Sequence, residues 1–221
     1  MTISIVVPVL NEAEEIAETL RRTRDPLVRE RIVVDGGSTD ATRGIAARHA
    51  EHVLDGPRGR ARQMNAGAAA ATGDAILFLH GDTWLPEGFG VAVEAALRGG
   101  AVGGRFDVIL RGRHPFLPVV ASLMNLRSRV SGISTGDQAL FVRRDRFEAM
   151  GGFPVIPLME DVAFTRALKR AGKVAALRER VETSGRRWEE RGVARTIVLM
   201  WYLRLAYALG ASPENLARRY R

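Results

Sequence analysis

Ile3-Ser4-Ile5-Val6-Val7-Pro8-Val9-Leu10-Asn11-Glu12 opens the chain with a β-branched, almost wholly apolar run that stops at two polar residues. A short continuous apolar run of this kind reads as a strand over Ile3–Val9 buried on both faces, as in a parallel sheet covered by helices. The following segments repeat the plan. An acidic-first helix over 12–22, capped by Asn11, leads to a strand over 31–35. That strand ends in Asp35-Gly36-Gly37-Ser38-Thr39-Asp40 and a helix over 41–49. A brief strand at 52–54 and an Ala-rich helix over 60–72, ended by Gly73, precede a fourth strand over 75–80 that runs into Gly81-Asp82. Strands alternating with helices of this size predict βαβ units, an α/β class and a mostly parallel sheet flanked by helices.

In such sheets ligands bind beyond the carboxyl ends of the strands. Three polar clusters fall there: Asn11 and Glu12; Asp35, Ser38 and Asp40; and His80, Gly81 and Asp82. Singly, each suits a cap or a turn, Asn11 and Ser38 as N-caps and Gly36-Gly37 as a turn. Together they place three polar groups on one rim of one sheet.

The second half reads as a strand over 101–110, a helix over 115–129, a strand over 136–142, a short helix and the turn Gly151-Gly152-Phe153-Pro154. A helix over 160–171, ended by Gly172, and strands at 173–177 and 180–183 follow. With no repeat and no linker, residues 1–221 form one domain. Its parts are residues 1–100, residues 101–185 and a C-terminal helical appendage (186–221).

Composition is globular: 221 residues, 46% hydrophobic and 26% charged. The absence of Cys excludes a disulfide scaffold, a Cys-based zinc site and thiol catalysis. The formal charge of +8 comes from 33 basic and 25 acidic residues, and all the basic ones but Lys169 and Lys173 are Arg. Residues 1–100 carry 11 basic and 14 acidic groups, net −3; residues 101–221 carry 22 and 11, net +11. That asymmetry points to an anionic partner near the second half, or to a solvated Arg-rich surface. The acidic first half argues against nucleic acid.

The N-terminus lacks the basic leader and cleavage site of a signal peptide. The longest apolar stretch, 197–203, falls far short of the roughly 20 residues of a spanning helix. A cytoplasmic location is expected. The apolar segment 193–209, with Trp201, Tyr202 and Tyr207 beside Arg195 and Arg204, is either a core-covering helix, with a homodimer contact as one form, or an interfacial helix at the inner face of a membrane.

Several ordered blocks resemble the family 2 nucleotide-sugar glycosyltransferases, which have the GT-A type, Rossmann-like fold. They are the opening strand to Glu12, Val33 to Asp40, Asn65-Ala66-Gly67 with Ala71-Thr72-Gly73-Asp74, Leu77-Phe78-Leu79-His80-Gly81-Asp82, and Gly136 to Phe153 followed by Met159-Glu160-Asp161-Val162. They span about residues 3–172.

The resemblance implies a sugar moved from a nucleotide-diphosphate donor to an acceptor hydroxyl, with inversion and with Mn²⁺ or Mg²⁺. Asp35 is implied to contact the base, in a pocket that Pro8, Val9 and Glu12 also line; a carboxylate accepts well from a base N–H. Uridine suits it, so a UDP-sugar is the favoured donor, with guanosine open. Asp82 matches the last Asp of the DxD motif and so a metal ligand, which would neutralise the departing diphosphate. His80 stands where the first Asp usually is, with donor contact, metal ligation or a plain strand-end role all open. Asp161, with Glu160 beside it, matches the catalytic base, and a helix start favours its ionised form. Asp137 and Gln138 match positions that bond sugar or acceptor hydroxyls.

Three further readings come from the residues. Arg58, Arg60 and Arg62 form a loop suited to clamping the diphosphate. Gly104 suits a floor near the sugar. Arg187-Trp188 match the end of the Gln-x-x-Arg-Trp motif of processive synthases, but Ser184 replaces the Gln, which favours single transfer. Arg187 is then a diphosphate contact and Trp188 an acceptor platform.

The Arg-Arg-Trp-then-helix ending is similar to a bacterial subgroup associated with arsenosugar biosynthesis. The acceptor stays open among small molecules, glycans and lipid-linked groups. A retaining mechanism also stays open. The alternatives are a nucleotidyltransferase, disfavoured because Asn-Glu-Ala-Glu-Glu would repel a triphosphate, and a non-enzymatic basic binding module.

Overall fold

The computed structural model describes residues 1–220. Their first half runs β1 (Ile3–Val9), α1 (Ile16–Arg21), β2 (Val28–Asp35), α2 (Thr42–Ala46), β3 (His52–Asp55), α3 (Arg60–Ala70), β4 (Ala75–Phe78), β5 (Thr83–Trp84) and α4 (Phe89–Arg98). Their second half runs β6 (Gly103–Arg111), α5 (Leu117–Ser131), a 3-10 turn (Gly136–Gln138), β7 (Leu140–Arg143), α6 (Arg144–Ala149), α7 (Glu160–Ala171), β8 (Val174–Ser184), α8 (Arg186–Arg191), α9 (Val193–Ala208) and α10 (Pro213–Tyr220).

One sheet of eight strands, ordered β3-β2-β1-β4-β7-β6-β8-β5, passes through both halves of the chain. β3, β2, β1 and β4 pair in parallel, as does β6 with β8. β7 is antiparallel to both β4 and β6, and β5 to β8.

Every residue of β1 is buried, and the two-residue period of a strand explains why the run is apolar on both faces. Ile3, Ile5, Val7 and Val9 enter one core with Leu20, Phe89 and Val93. Val6 points the other way and joins Ile32, Val34, Met64 and Phe78. Each such side chain contributes about 1.5–3 kcal/mol on burial. In the second core Phe78, Phe147, Phe153 and Phe164 interlock, with the Phe153 and Phe164 rings stacked at 4.2 Å. Asn65 of α3 brackets Phe153: its Nδ2 donates to the Phe153 carbonyl at 2.8 Å, and the Phe153 N–H donates to its Oδ1 at 2.9 Å. These contacts fix the 151–154 turn, and with it the start of α7, under the end of β4. A third, smaller cluster of Met159, Val162, Leu203 and Leu216 docks α9 and α10 onto that same start.

Several boundaries differ from expectation. The first helix begins at Ile16 rather than residue 12, because Asn11 is left-handed (φ 56°) and residues 12–15 form a turn. Residues 136–138 form a 3-10 turn and only Leu140–Arg143 pairs as a strand. The two strands expected at 173–177 and 180–183 are one, Val174–Ser184, with a register shift against β6. Helix α4 and strand β5 had not been expected.

Helix α3 approaches the sheet through Gly67, where a Cβ would collide with Val6 Cγ1. A Gly67→Val substitution is therefore expected to cost about 1–3 kcal/mol by overpacking. Gly44→Ala, on the open face of α2 with nothing within 4 Å of its would-be Cβ, should stabilise by about 0.5–1 kcal/mol. Urea denaturation of the two variants checks both signs.

Candidate active site

The carboxyl ends of β1 and β4 and the turns after them open into a cleft of about 320 Å³ lined by Pro8, Glu12, Arg60, His80, Gly81, Asp82, Asp137, Thr183, Arg186, Arg187, Trp188 and Tyr220, among others. A smaller recess of about 90 Å³ adjoins it and shares Arg60, His80, Asp137 and Arg187 as walls. Glu160, Asp161 and Arg204 line only the recess.

A short chain of contacts holds the two spaces in register. His80 Nδ1 lies 3.2 Å from Asp137 Oδ1. The Gly136 N–H donates to Asp161 Oδ2 at 2.9 Å, and the Val162 N–H to Asp161 Oδ1 at 2.7 Å. Residue 136 is glycine because a Cβ there would strike His80 Nε2. His80 Nε2 is buried without a hydrogen-bond partner, and His80 lines both spaces.

Electrostatics follow from crowding. Burial pushes the Asp137 carboxyl up, but the His80 bond and the charges of His80, Arg60 and Arg187 outweigh it and bring it down to about 2. Arg60 faces Glu160, Asp137, Asp161 and Asp82, which outweigh burial and raise it above the ordinary guanidinium value. Its contact with Glu160 is 3.9 Å. Glu160 is buried, and burial followed by the Asp161 charge raises its carboxyl despite Arg60. Glu12 is likewise raised, first by burial and then by Asp82, with Arg186 and His80 acting against them.

Glu12 Oε2 is buried with no hydrogen-bond partner, its nearest cation being Arg186 at 3.8 Å. An orphaned carboxylate raised by burial and by a second carboxylate beside it makes, with that neighbour, a hard oxygen donor set suited to a divalent cation that completes its shell elsewhere. No group of three potential ligands gathers among the described residues. The pair therefore fits a metal that shares its coordination with a ligand such as a diphosphate.

Other expected residues serve the frame. Asp35 is buried and accepts from the Ser38 N–H at 3.1 Å and the Ser38 hydroxyl at 2.5 Å. Asn11 donates its N–H to Ser38 Oγ and accepts from the Thr39 N–H, so it braces the neighbouring loop rather than capping a helix. Asp40 accepts from the Thr42 and Ala13 N–H groups. Val9 is buried, and its carbonyl receives Gln63 Nε2 and the Gly36 N–H. None of these five lines the cleft. Arg58, Arg60 and Arg62 are all exposed, and of the three only Arg60 lines the cleft.

Gly104 is wedged between the Phe141 ring and the Ala175 carbonyl and lines neither space. Gln138 lines neither space. It is fully buried and donates to Ser128 Oγ at 3.1 Å and the Phe106 carbonyl at 3.3 Å, which anchors the turn that carries Asp137.

The sequence reading passed over three groups. Arg111 lies 3.3 Å over the Trp84 ring and donates to the Asp82 carbonyl at 2.8 Å, which aims the metal-site loop. Thr183 reaches Thr83 at 2.8 Å and comes within 3.5 Å of Asp82 Oδ1. Tyr220 lies under the Arg187 guanidinium at 4.8 Å and lines both spaces. All three depend on contacts between residues distant in sequence, which no local pattern signals.

Glu160 yields a signed pH prediction. Its folded pKa lies above its unfolded value of about 4.3, so the folded state binds the proton more tightly. Its contribution turns unfavourable as pH rises through the carboxyl range. Glu160→Gln should therefore raise Tm relative to wild type near pH 8 and lose that advantage below about pH 4. Thermal melts across this range test it; a variant destabilised equally at every pH contradicts it.

Residues 4–148 match the sequence profile of glycosyl transferase family 2. A glycosyltransferase of Haloferax volcanii, AglE, is 30% identical over 172 residues, which are 69% of this chain and 56% of that protein. The chain thus spans little more than half the length of that relative. A Pyrobaculum calidifontis mannosyltransferase solved with GDP-Man and Mn²⁺ superposes with a TM-score of 0.63 at 22% identity, over 81% of this chain and 56% of its own. Glucosyl-3-phosphoglycerate synthase of Mycobacterium tuberculosis, solved with Mn²⁺, UDP and glucosyl-3-phosphoglycerate, superposes with a TM-score of 0.57 at 25% identity, over 81% and 70%. The profile match over the whole β1–β7 frame, and the same fold in these structures, make this chain a member of glycosyl transferase family 2.

Proposed function

We propose that the protein transfers a sugar from a nucleoside-diphosphate donor to an acceptor hydroxyl, once per donor and with inversion. One observation carries the reading. A cleft bearing the facing carboxylates Glu12 and Asp82 and the guanidiniums of Arg60, Arg186 and Arg187 opens directly into a recess that holds an oriented carboxylate, Asp161. Carboxylates beside guanidiniums suit a diphosphate with its cation. The Mn²⁺ of the related structures belongs to those proteins; here Glu12 and Asp82 would hold the ion. When bound, it would supply Lewis-acid stabilisation of the leaving diphosphate.

The chain's own groups account for the rest. Asp35, at the end of β2 and outside the cleft lining, would exchange its Ser38 bond for the base edge, with a UDP-sugar favoured. Arg60 and Arg187 share walls of both spaces and are placed to hold phosphate oxygens while facing the sugar. Asp161 has one backbone N–H on each oxygen, which orients it and leaves lone pairs free. It takes the acceptor's hydroxyl proton as that oxygen bonds to the anomeric carbon. The bond from that carbon to the β-phosphate oxygen breaks, and its electron pair leaves on the nucleoside diphosphate. Trp188, packed against the core and lining the cleft, offers an apolar face to the acceptor. Ser184 in place of the processive glutamine supports single transfer.

Asp161→Asn removes the proton acceptor but keeps the shape. Turnover of whichever sugar nucleotide the wild type uses should fall by about 10²–10⁴-fold, with the nucleotide-induced rise in Tm unchanged. Near-normal turnover in that variant rules Asp161 out as the base.

A further inference from the structure

Helices α5 and α9 run side by side. Leu117, which opens α5, lies against Gly185, immediately before α8 and the lead into α9. Ile133, two residues past the end of α5, joins the cluster that holds Leu199, Met200 and Leu203 of α9. Each helix buries one face: Leu117, Val120 and Ala121 of α5, and Val193, Thr196 and Leu203 of α9. The faces turned away from the core are apolar as well.

Along α5, Val119, Leu123, Leu126 and Val130 are exposed at a four-three-four spacing, which is one continuous stripe of a helix. Along α9, Val198, Trp201, Leu205 and the following Leu209 repeat the stripe at a three-four-four spacing, with Trp201 74% exposed and Leu209 80%. A surface helix normally turns charged and polar residues away from its core, and a contiguous apolar face there marks an interaction site. Every charged residue on the two helices is an arginine: Arg127 and Arg129 on α5, Arg195 and Arg204 on α9, with no Asp or Glu on either. The rim is basic too. Arg219 of α10 lies over the Tyr202 ring at 5.3 Å and donates to its hydroxyl, and Arg218 beside it is exposed.

We propose that the outer faces of α5 and α9 form a docking surface for an anionic phospholipid bilayer, with both helices lying flat in the headgroup region. The apolar stripes enter the acyl boundary, Trp201 and Tyr202 sit at headgroup depth, and the exposed arginines meet lipid phosphates. No helix among the described residues is long and apolar enough to cross a membrane, and the contact proposed is with the bilayer surface. A second copy of the chain is the poorer occupant. Isologous pairing of these faces would set arginine against arginine, with no carboxylate from either helix to offset them. The proposal goes beyond the transferase reading and does not depend on it. The two meet at α9, whose Met200, Leu203 and Arg204 wall the recess. Docking the other face of that helix holds the recess roughly 10 Å, one helix diameter, from the lipid.

The test is co-sedimentation of the full chain with phosphatidylcholine vesicles and with vesicles of equimolar phosphatidylcholine and phosphatidylglycerol. Wild type is compared with Leu123→Glu on α5 and Trp201→Glu on α9. Thermal melts check folding, and analytical ultracentrifugation reads the oligomeric state. Wild type is expected to partition onto the anionic vesicles at least about tenfold more strongly than onto the neutral ones, and added salt should weaken the contact. Each variant, still melting cooperatively, should lose at least about tenfold of that partitioning. If a variant does not fold, Leu126→Glu or Leu205→Glu takes its place on the same helix. The proposal is overturned if wild type stays in the supernatant with anionic vesicles, if it binds neutral vesicles equally, or if either folded variant binds as wild type does. A wild-type dimer that the variants reduce to monomers, with no vesicle binding, gives the face to a second copy and overturns it as well.

Discussion

The site hangs on a turn of three residues, Gly136–Gln138. On one side Asp137 bonds His80 at the end of β4, and on the other the Gly136 N–H bonds Asp161 at the start of α7. The cleft and the recess are therefore joined through one peptide. Gln138 secures the turn from beneath by bonding into β6 and α5. The backbone is strained where it serves this junction: Ala139 follows the turn at φ 46°, and Met159, at φ 69°, immediately precedes Glu160. Non-glycine residues seldom hold such angles unless packing enforces them. Ala139 is fully buried and Met159 nearly so.

Charge is arranged around that turn as alternating signs. Glu12, Asp82, Asp137, Glu160 and Asp161 ring Arg60, and Arg186 and Arg187 close the open side. The acids come mainly from the carboxyl ends of parallel strands and from one helix start, and the arginines from α3 and α8. The uneven charge of the two chain halves is thus put to use at their seam. The excess of protonation on Glu12 and Glu160, both raised by burial and an adjacent carboxylate, is what a diphosphate-bound cation and an acceptor would relieve.

Much of the frame was legible in the sequence. The apolar run of β1, the alternation through β4 and the polar residues at strand ends are local patterns, and they identified the rim on which Glu12, His80 and Asp82 meet. Helix α4 was not legible because its apolar positions, Phe89, Val93 and Leu97, lie among glycines that weaken the helical signal. Strand β5, only two residues long, exists because β8 is there to receive it. Asn11 looked like a cap because its residue type favours caps. Its left-handed backbone follows from the Ser38–Thr39 loop, a contact that spacing alone does not reveal. Gln138 looked like a site residue by its position in the family motif, but the turn directs its side chain into the core.

The central claim is that the cleft between β1, β4 and α8 holds a nucleoside diphosphate with a divalent cation on the Glu12–Asp82 side. Thermal denaturation with UDP and with GDP, each with and without Mn²⁺, on wild type and Asp82→Asn tests it most directly. The account predicts a rise in Tm with at least one nucleotide that requires Mn²⁺ and is lost in Asp82→Asn. No stabilisation by either nucleotide under any of these conditions, in a protein that melts cooperatively, would contradict it.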